Sequence, residues 1–247
     1  MHRRALLAGL VGVATGVVPA GRLLAQTGQQ PADLQACMSE PGLALYLSML
    51  SGQLPMTSQE LLPGATWQLF SSPYSTAVFL YPPDWTGQVL FASTFTQHAA
   101  PQWTGQQQSA SGITSARVTS SDASAAWESV AGGIQGVALT LEQVVAIAEG
   151  GLLGDGYTGT RMCAHTEPLA NGGIAWLTAL DANGTIVLTN GTLFSDPSGP
   201  YSVITYYGMA APQAQFEQTM RSVFLPIQWQ LLQSGGSLPT PTPTPGF

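Results

Sequence analysis

Four consecutive segments decide the fold: Thr160-Arg-Met-Cys-Ala-His-Thr166, Gly173-Ile-Ala-Trp-Leu-Thr-Ala-Leu180, Thr185-Ile-Val-Leu-Thr-Asn-Gly-Thr-Leu-Phe194 and Tyr201-Ser-Val-Ile-Thr-Tyr-Tyr-Gly208. Each is rich in β-branched and aromatic residues, which fit a pleated, half-buried surface. They are joined by Asn171-Gly-Gly173, Asp181-Ala-Asn-Gly184 and Asp196-Pro-Ser-Gly-Pro200, which supply the positive or fixed φ that a reversing chain needs. The stretch therefore predicts an antiparallel meander.

On the N-terminal side of the meander, Thr140 followed by Leu141-Glu-Gln143 matches a capping box. Leu141, Val144, Val145 and Ala148 form the buried stripe of a helix expected to stop at Gly150-Gly151. On the C-terminal side, Pro212 opens a second helix with Phe216, Met220, Val223, Phe224, Ile227 and Leu231 along one face. Pro226 is expected to end its regular part near Phe224.

Further out, Trp67-Gln-Leu-Phe70 and Ser75–Tyr81 read as strands, the second ended by Pro82-Pro83. Gly87–Phe95 and Ile113–Thr119 are extended, with a Gln- and Ser-rich loop from Thr96 to Ser111 between them. Ala123–Val130 is read as a short helix. Two helical pieces precede all of this, one with Leu34, Cys37 and Met38 on a face, the next with Leu43, Tyr46, Leu47 and Leu50. The expected organisation is a leader over residues 1–25, an N-terminal helical segment over 26–66, an α+β domain over 67–233 and a Pro/Thr-rich disordered tail over 234–247.

The leader decides the compartment. Arg3-Arg4 is followed by a weakly apolar run, Ala5–Val18, too short to span a bilayer, which takes about 20 residues. Val18-Pro-Ala20 and Leu23-Leu-Ala25 each end in a small residue suited to signal cleavage. Paired arginines, weak hydrophobicity and Arg22 after the apolar run resemble a twin-arginine signal peptide. The expected location is extracytoplasmic, whether periplasm, cell surface or secreted, with no stable membrane anchor.

Charged residues are only 8% of the chain, against a usual share of about 25%. There is no lysine, and beyond the leader three arginines face 13 acids, a net charge near −10. Such a surface excludes nucleic acid and anionic membranes, which are bound through clusters of Lys and Arg. Missing lysine also excludes Schiff-base chemistry. In an oxidising compartment Cys37 and Cys163 form the economical disulfide pair. A lipidation box at Cys37 is disfavoured, because the apolar run ended well before it.

Phe79-Leu-Tyr-Pro-Pro-Asp-Trp85 resembles the strand-to-loop element that opens domains of the PsbP and Mog proteins. Phe216-x-x-x-Met220-x-x-Val223-Phe224 resembles their closing helix. The resemblance implies an antiparallel sheet between helices, an α/β/α sandwich, and binding or scaffolding rather than catalysis.

No Gly-x-Ser-x-Gly elbow occurs, no phosphate-binding glycine loop leads into a lysine, and neither Asp155–Gly159 nor Asp181–Gly184 has the spacing of a calcium loop. No catalytic residue is assigned and no cofactor is expected. Two groupings remain. Strand alternation places Arg161, Cys163, His165 and Glu167 on one face and Met162, Ala164 and Thr166 on the other. With His98 arriving from its loop, Cys163, His165 and Glu167 have the donor types of a zinc or copper site. The competing reading makes Met162 and Ala164 core residues, the charged face solvated, and Cys163 bonded to Cys37. Trp103, Trp85 and Tyr81, with Tyr74, are candidates for an aromatic ligand platform, Trp85 being equally suited to anchoring the core. The expected function is an exported binding or accessory module for a small molecule, an envelope polymer or a protein. The alternative is an extracytoplasmic hydrolase or metal-binding protein with its site near His165 and Cys163.

Overall fold

The four meander segments pair along their lengths in the computed structural model, which describes residues 32–53, 56–71, 77–91, 114–154, 156–196 and 201–234. They are β6 (Thr160–Pro168), β7 (Ile174–Ala182), β8 (Thr185–Asp196) and β9 (Tyr201–Pro212). Asn183 and Gly184, both at positive φ, make the β7–β8 turn as Asn-Gly does in tight hairpins. β3 (Trp85–Phe91), β4 (Thr114–Ser120) and β5 (Ala126–Gln135) complete a seven-stranded antiparallel sheet in the order β3-β4-β5-β9-β8-β7-β6. β1 (Gln68–Phe70) and β2 (Phe79–Tyr81) pair separately as a small ribbon. The chain is thus α+β, as its sequence predicts.

β5 replaces the short helix expected over Ala123–Val130. Ala and Glu favour helix weakly, and that preference is overridden by pairing with β4 on one side and β9 on the other. The signal was the polar run before it. Asp122 Oδ1 accepts from the Ser120 hydroxyl and from the N–H and hydroxyl of Ser124, closing a turn with Ala123 at φ 57°. Those bonds, led by the one from Ser120, hold the Asp122 carboxyl down at about 2.

Side chains alternate, so the sheet has two covered faces. One carries Ala116, Val118, Trp127, Ala179, Leu188 and Met209, packed under α1 (Pro41–Leu50) and a C-terminal helical run. The other carries Val130, Trp176, Ile204 and Tyr206 under α2 (Leu141–Leu153). The capping box at Thr140 and Gln143 is present, but α2 runs through Gly150-Gly151 and ends at Gly154, φ 88°. The C-terminal run comprises α3 (Gln213–Thr219), a π turn (Met220–Phe224) and α4 (Leu225–Ser234). Helix continues past Pro226 because the widened turn comes first: the Leu225 N–H bonds to the Met220 carbonyl, and proline then falls at the second position of α4. The ribbon joins this layer through Phe79, stacked on Phe70 at 4.9 Å and edge-on to Trp127 at 4.9 Å.

The residues ahead of 67 belong to the same core. Leu34 and Cys37 are buried on 3₁₀ turns, while Met38 is exposed, and Leu43, Tyr46, Leu47 and Leu50 are all buried. Glu40 caps α1, its Oε2 accepting the Leu43 N–H at 2.8 Å. Burial pushes its carboxyl above the ordinary 4.5, against the pull of the Leu43 and Gly42 N–H groups. The folded chain therefore holds this proton more tightly than the unfolded chain. The resulting stability is full below about pH 4.5 and is lost as pH rises through the raised folded value. Urea midpoints measured from pH 4 to 7 are expected to show a smaller decline in Glu40→Gln than in wild type; parallel curves would contradict this.

Candidate functional site

The donor set read from β6 is divided by the fold. A β-bulge between Arg161 and Cys163 puts one extra residue, Met162, into the strand, so Arg161 stands opposite Leu180 and Cys163 opposite Ala179. Leu180 belongs to the α2 face and Ala179 to the α1 face. Arg161 therefore leaves the company of Cys163, His165 and Glu167, correcting the simple alternation. The solvated-face reading is corrected too: Cys163 is buried and His165 and Glu167 are partly covered, while Ala164 and Thr166 are exposed. Cys163 is bonded to Cys37, with Cα atoms 5.7 Å apart, so the thiolate on which the metal reading rested is used in the bridge. His165 Nδ1 lies 2.8 Å from Asp33 Oδ2, a second tie between the N-terminal segment and this edge strand. Among the described residues, no group of three or more His, Cys, Asp or Glu side chains converges as a metal set. His98 and Trp103 lie outside the described residues, as do Tyr74, the leader and residues 235–247 of the tail, whose first residue, Ser234, ends α4.

Of the aromatic candidates, Trp85 is a core anchor, 9% exposed and edge-on to Phe224 at 6.1 Å. Tyr81 is half-buried, its hydroxyl 3.3 Å from Gln68 Oε1. A Cβ on Gly87 would meet the Tyr81 ring at 3.1 Å, so the ring lies over that glycine.

The most concentrated chemistry lies where sequence reasoning did not look, between α2 and the sheet. Arg117, Glu128, Gly208, Thr189 and Thr178 stand opposite one another in register across β4, β5, β9, β8 and β7. At one end, Glu149 reaches down from α2 and is almost wholly buried. Arg161 holds its carboxylate in a fork, Nη1 on Oε1 and Nη2 on Oε2; the Tyr157 hydroxyl donates to Oε2 at 2.9 Å and the Thr178 hydroxyl to Oε1 at 3.1 Å. Thr178 Oγ1 is 2.8 Å from Thr189 Oγ1, which accepts from Trp176 Nε1 at 3.3 Å. Burial first, then the charge of Glu149, pushes the Tyr157 hydroxyl up to about 12.

At the other end Glu128, also buried, accepts from the Tyr206 hydroxyl at 2.7 Å and faces Arg117 at 3.7 Å. Arg117 Nη1 donates to the Gly151 carbonyl at 2.7 Å, satisfying one of the last carbonyls of α2, which lack partners within the helix. Burial, then Glu128, drives the Tyr206 hydroxyl far above its ordinary range. One glycine makes the adjoining row possible: a Cβ on Gly191 would sit 2.5 Å from Tyr206 Cβ and 2.7 Å from the Trp176 ring, so only glycine lets these rings close over β8. Both glutamates had a legible signal. Glu149 lies four residues after Val145 and three before Leu152, along the covered side of its helix, and Glu128 alternates in phase with Ala126 and Val130.

No protein-family model matches the chain, and no curated protein matches it either.

Proposed function

We propose that this chain is an exported, soluble binding or accessory module acting outside the cytoplasm, with a PsbP-like arrangement of helices on both faces of its sheet. One observation carries the reading: among the described residues, Glu149, Cys163 and His165, which have the side-chain types a catalytic centre would use, are engaged in holding the fold. The buried carboxylate of Glu149 accepts four hydrogen bonds from Arg161, Tyr157 and Thr178. Cys163 is bonded to Cys37, and His165 is held against Asp33. A network satisfied in this way rigidifies a scaffold and leaves recognition to its surface. The disulfide accords with an oxidising compartment.

A second reading, an extracytoplasmic hydrolase, is favoured by one contact. Asp33 at 2.8 Å from His165 Nδ1 has the geometry of an acid orienting a base. The two readings separate in one experiment. The mature protein is expected to give no turnover above background with p-nitrophenyl esters, chromogenic peptides and phosphate monoesters. Thermal-shift screening of small molecules and envelope polymers is expected to find a stabilising ligand. Turnover abolished by His165→Ala would overturn the module in favour of the enzyme.

A further inference from the structure

A groove of about 500 Å³ separates the loop carrying Met56 and Glu60 from the C-terminal helical run. It is distinct from the polar row under α2 and from the β6 edge. Met56, 8% exposed, gives it an apolar floor and the exposed Ala214 adds to its apolar lining, while Glu60, Glu217 and Arg221 supply charge. Glu60 is fixed from its own loop: its Oε2 accepts both the N–H and the hydroxyl of Thr57, each at 2.7 Å. Arg221 stands on the π turn, one turn beyond Glu217, with Nε donating to Glu217 Oε1 at 3.1 Å. Among the described residues the two Nη groups of that fork have no acceptor, whereas Arg117 and Arg161 are both committed beneath α2. Arg221 is near enough to Glu60 to help hold the latter's carboxyl below its ordinary value, after the stronger effect of the Thr57 bonds.

Two carboxylates and one guanidinium over an apolar floor are the charge mirror of a molecule with two cationic groups, one carboxylate and an aliphatic stem. Guanidinium forks bind carboxylates in a planar, two-pronged way, and carboxylates receive ammonium groups. A net charge near −10 on the mature chain favours the approach of a ligand with net positive charge. A volume of about 500 Å³ falls within the common range for small-molecule sites. We infer that this groove binds a free basic amino acid, its carboxylate on Arg221, its two cationic groups on Glu217 and Glu60, and its stem along Met56. This rests on the reading of the domain as a binding module and names the ligand class.

Isothermal titration of the mature protein with L-lysine tests it, with L-leucine lacking the second cation and cadaverine lacking the carboxylate. Lysine is expected to bind saturably, and the other two at least tenfold more weakly. Arg221→Gln should erase the preference for lysine over cadaverine, and Glu60→Gln, which removes the partner of the distal ammonium, the preference for lysine over leucine. Both variants should keep the wild-type urea midpoint to within the small effect of an exposed pair. No saturable heat with lysine, equal affinity for the three compounds, or wild-type selectivity in Arg221→Gln would each overturn the inference. A different ligand found in the thermal-shift screen, together with no saturable heat from lysine, would leave the module standing while removing the amino acid. Hydrolytic turnover would remove the module without touching a measured lysine affinity.

Discussion

Cys37→Ala/Cys163→Ala is expected to unfold at a clearly lower urea concentration than the oxidised wild type, with a loss of about 2–5 kcal/mol. The bridge closes a separation of 126 residues. In the chain-entropy account a loop of that order restricts the unfolded ensemble by about 4–5 kcal/mol, and strain or residual structure lowers the figure. Both sulfurs lie in the core between α1 and the sheet, so alanine also leaves small unfilled spaces there. The companion tie is much weaker: the Asp33–His165 pair has Asp33 half-exposed, and Asp33→Asn is expected to cost about 1 kcal/mol or less. Wild-type protein kept in reductant after unfolding should match the double variant. Coincident midpoints for oxidised protein, reduced protein and the double variant would refute the claim that the bridge sets stability. Limited proteolysis reports where the loss falls, since releasing the bridge should bring new cleavage in the segment around residues 32–39 that the oxidised protein lacks.

The meander and the flanking helices were legible because their signals are local. Asn183-Gly184 specifies a tight reversal, Thr140 with Gln143 a helix start, and the Phe216–Ile227 spacing a buried face. The errors share a different cause, a dependence on partners distant in sequence. One inserted residue, Met162, shifts the phase of all that precedes it on β6, and nothing in Arg-Met-Cys-Ala-His announces the bulge. The Ala126–Gln135 strand is held by neighbours on both sides rather than by its own propensity. Pro226 reads as a helix end until the preceding π turn is seen to accommodate it. The buried glutamates were the largest omission at the site. A glutamate on a helix is ordinarily a solvent-facing residue, and only the arrival of Arg161 from the bulged strand makes Glu149 tenable in the interior.

That dependence makes Glu149→Ala the second large expected effect, a loss of about 3–5 kcal/mol in urea unfolding. The Glu149 side chain is 2% exposed and Arg161 40% exposed, so the two deletions are not equivalent. Removing the glutamate leaves the Thr178 hydroxyl, the Tyr157 hydroxyl and the fork of Arg161 without their shared acceptor, and opens a cavity between α2 and β7. Removing the arginine leaves a buried carboxylate supported by two hydroxyl donors, which is also strongly destabilising. In Glu149→Ala, by contrast, the guanidinium of Arg161, 40% exposed, returns to water with little further cost. Glu149→Ala/Arg161→Ala should therefore lose less than the sum of the single variants, with a coupling energy of about 1–3 kcal/mol. Glu149→Leu/Arg161→Met replaces the pair by apolar bulk and is expected to recover part of the loss. The measurement is a double-mutant cycle by urea unfolding, with far-UV circular dichroism verifying that each variant still folds. A loss below about 1 kcal/mol in Glu149→Ala, or strict additivity in the cycle, would show that α2 is held by its apolar stripe alone. The polar row beneath it would then be a tolerated burial rather than the fastening inferred from its geometry.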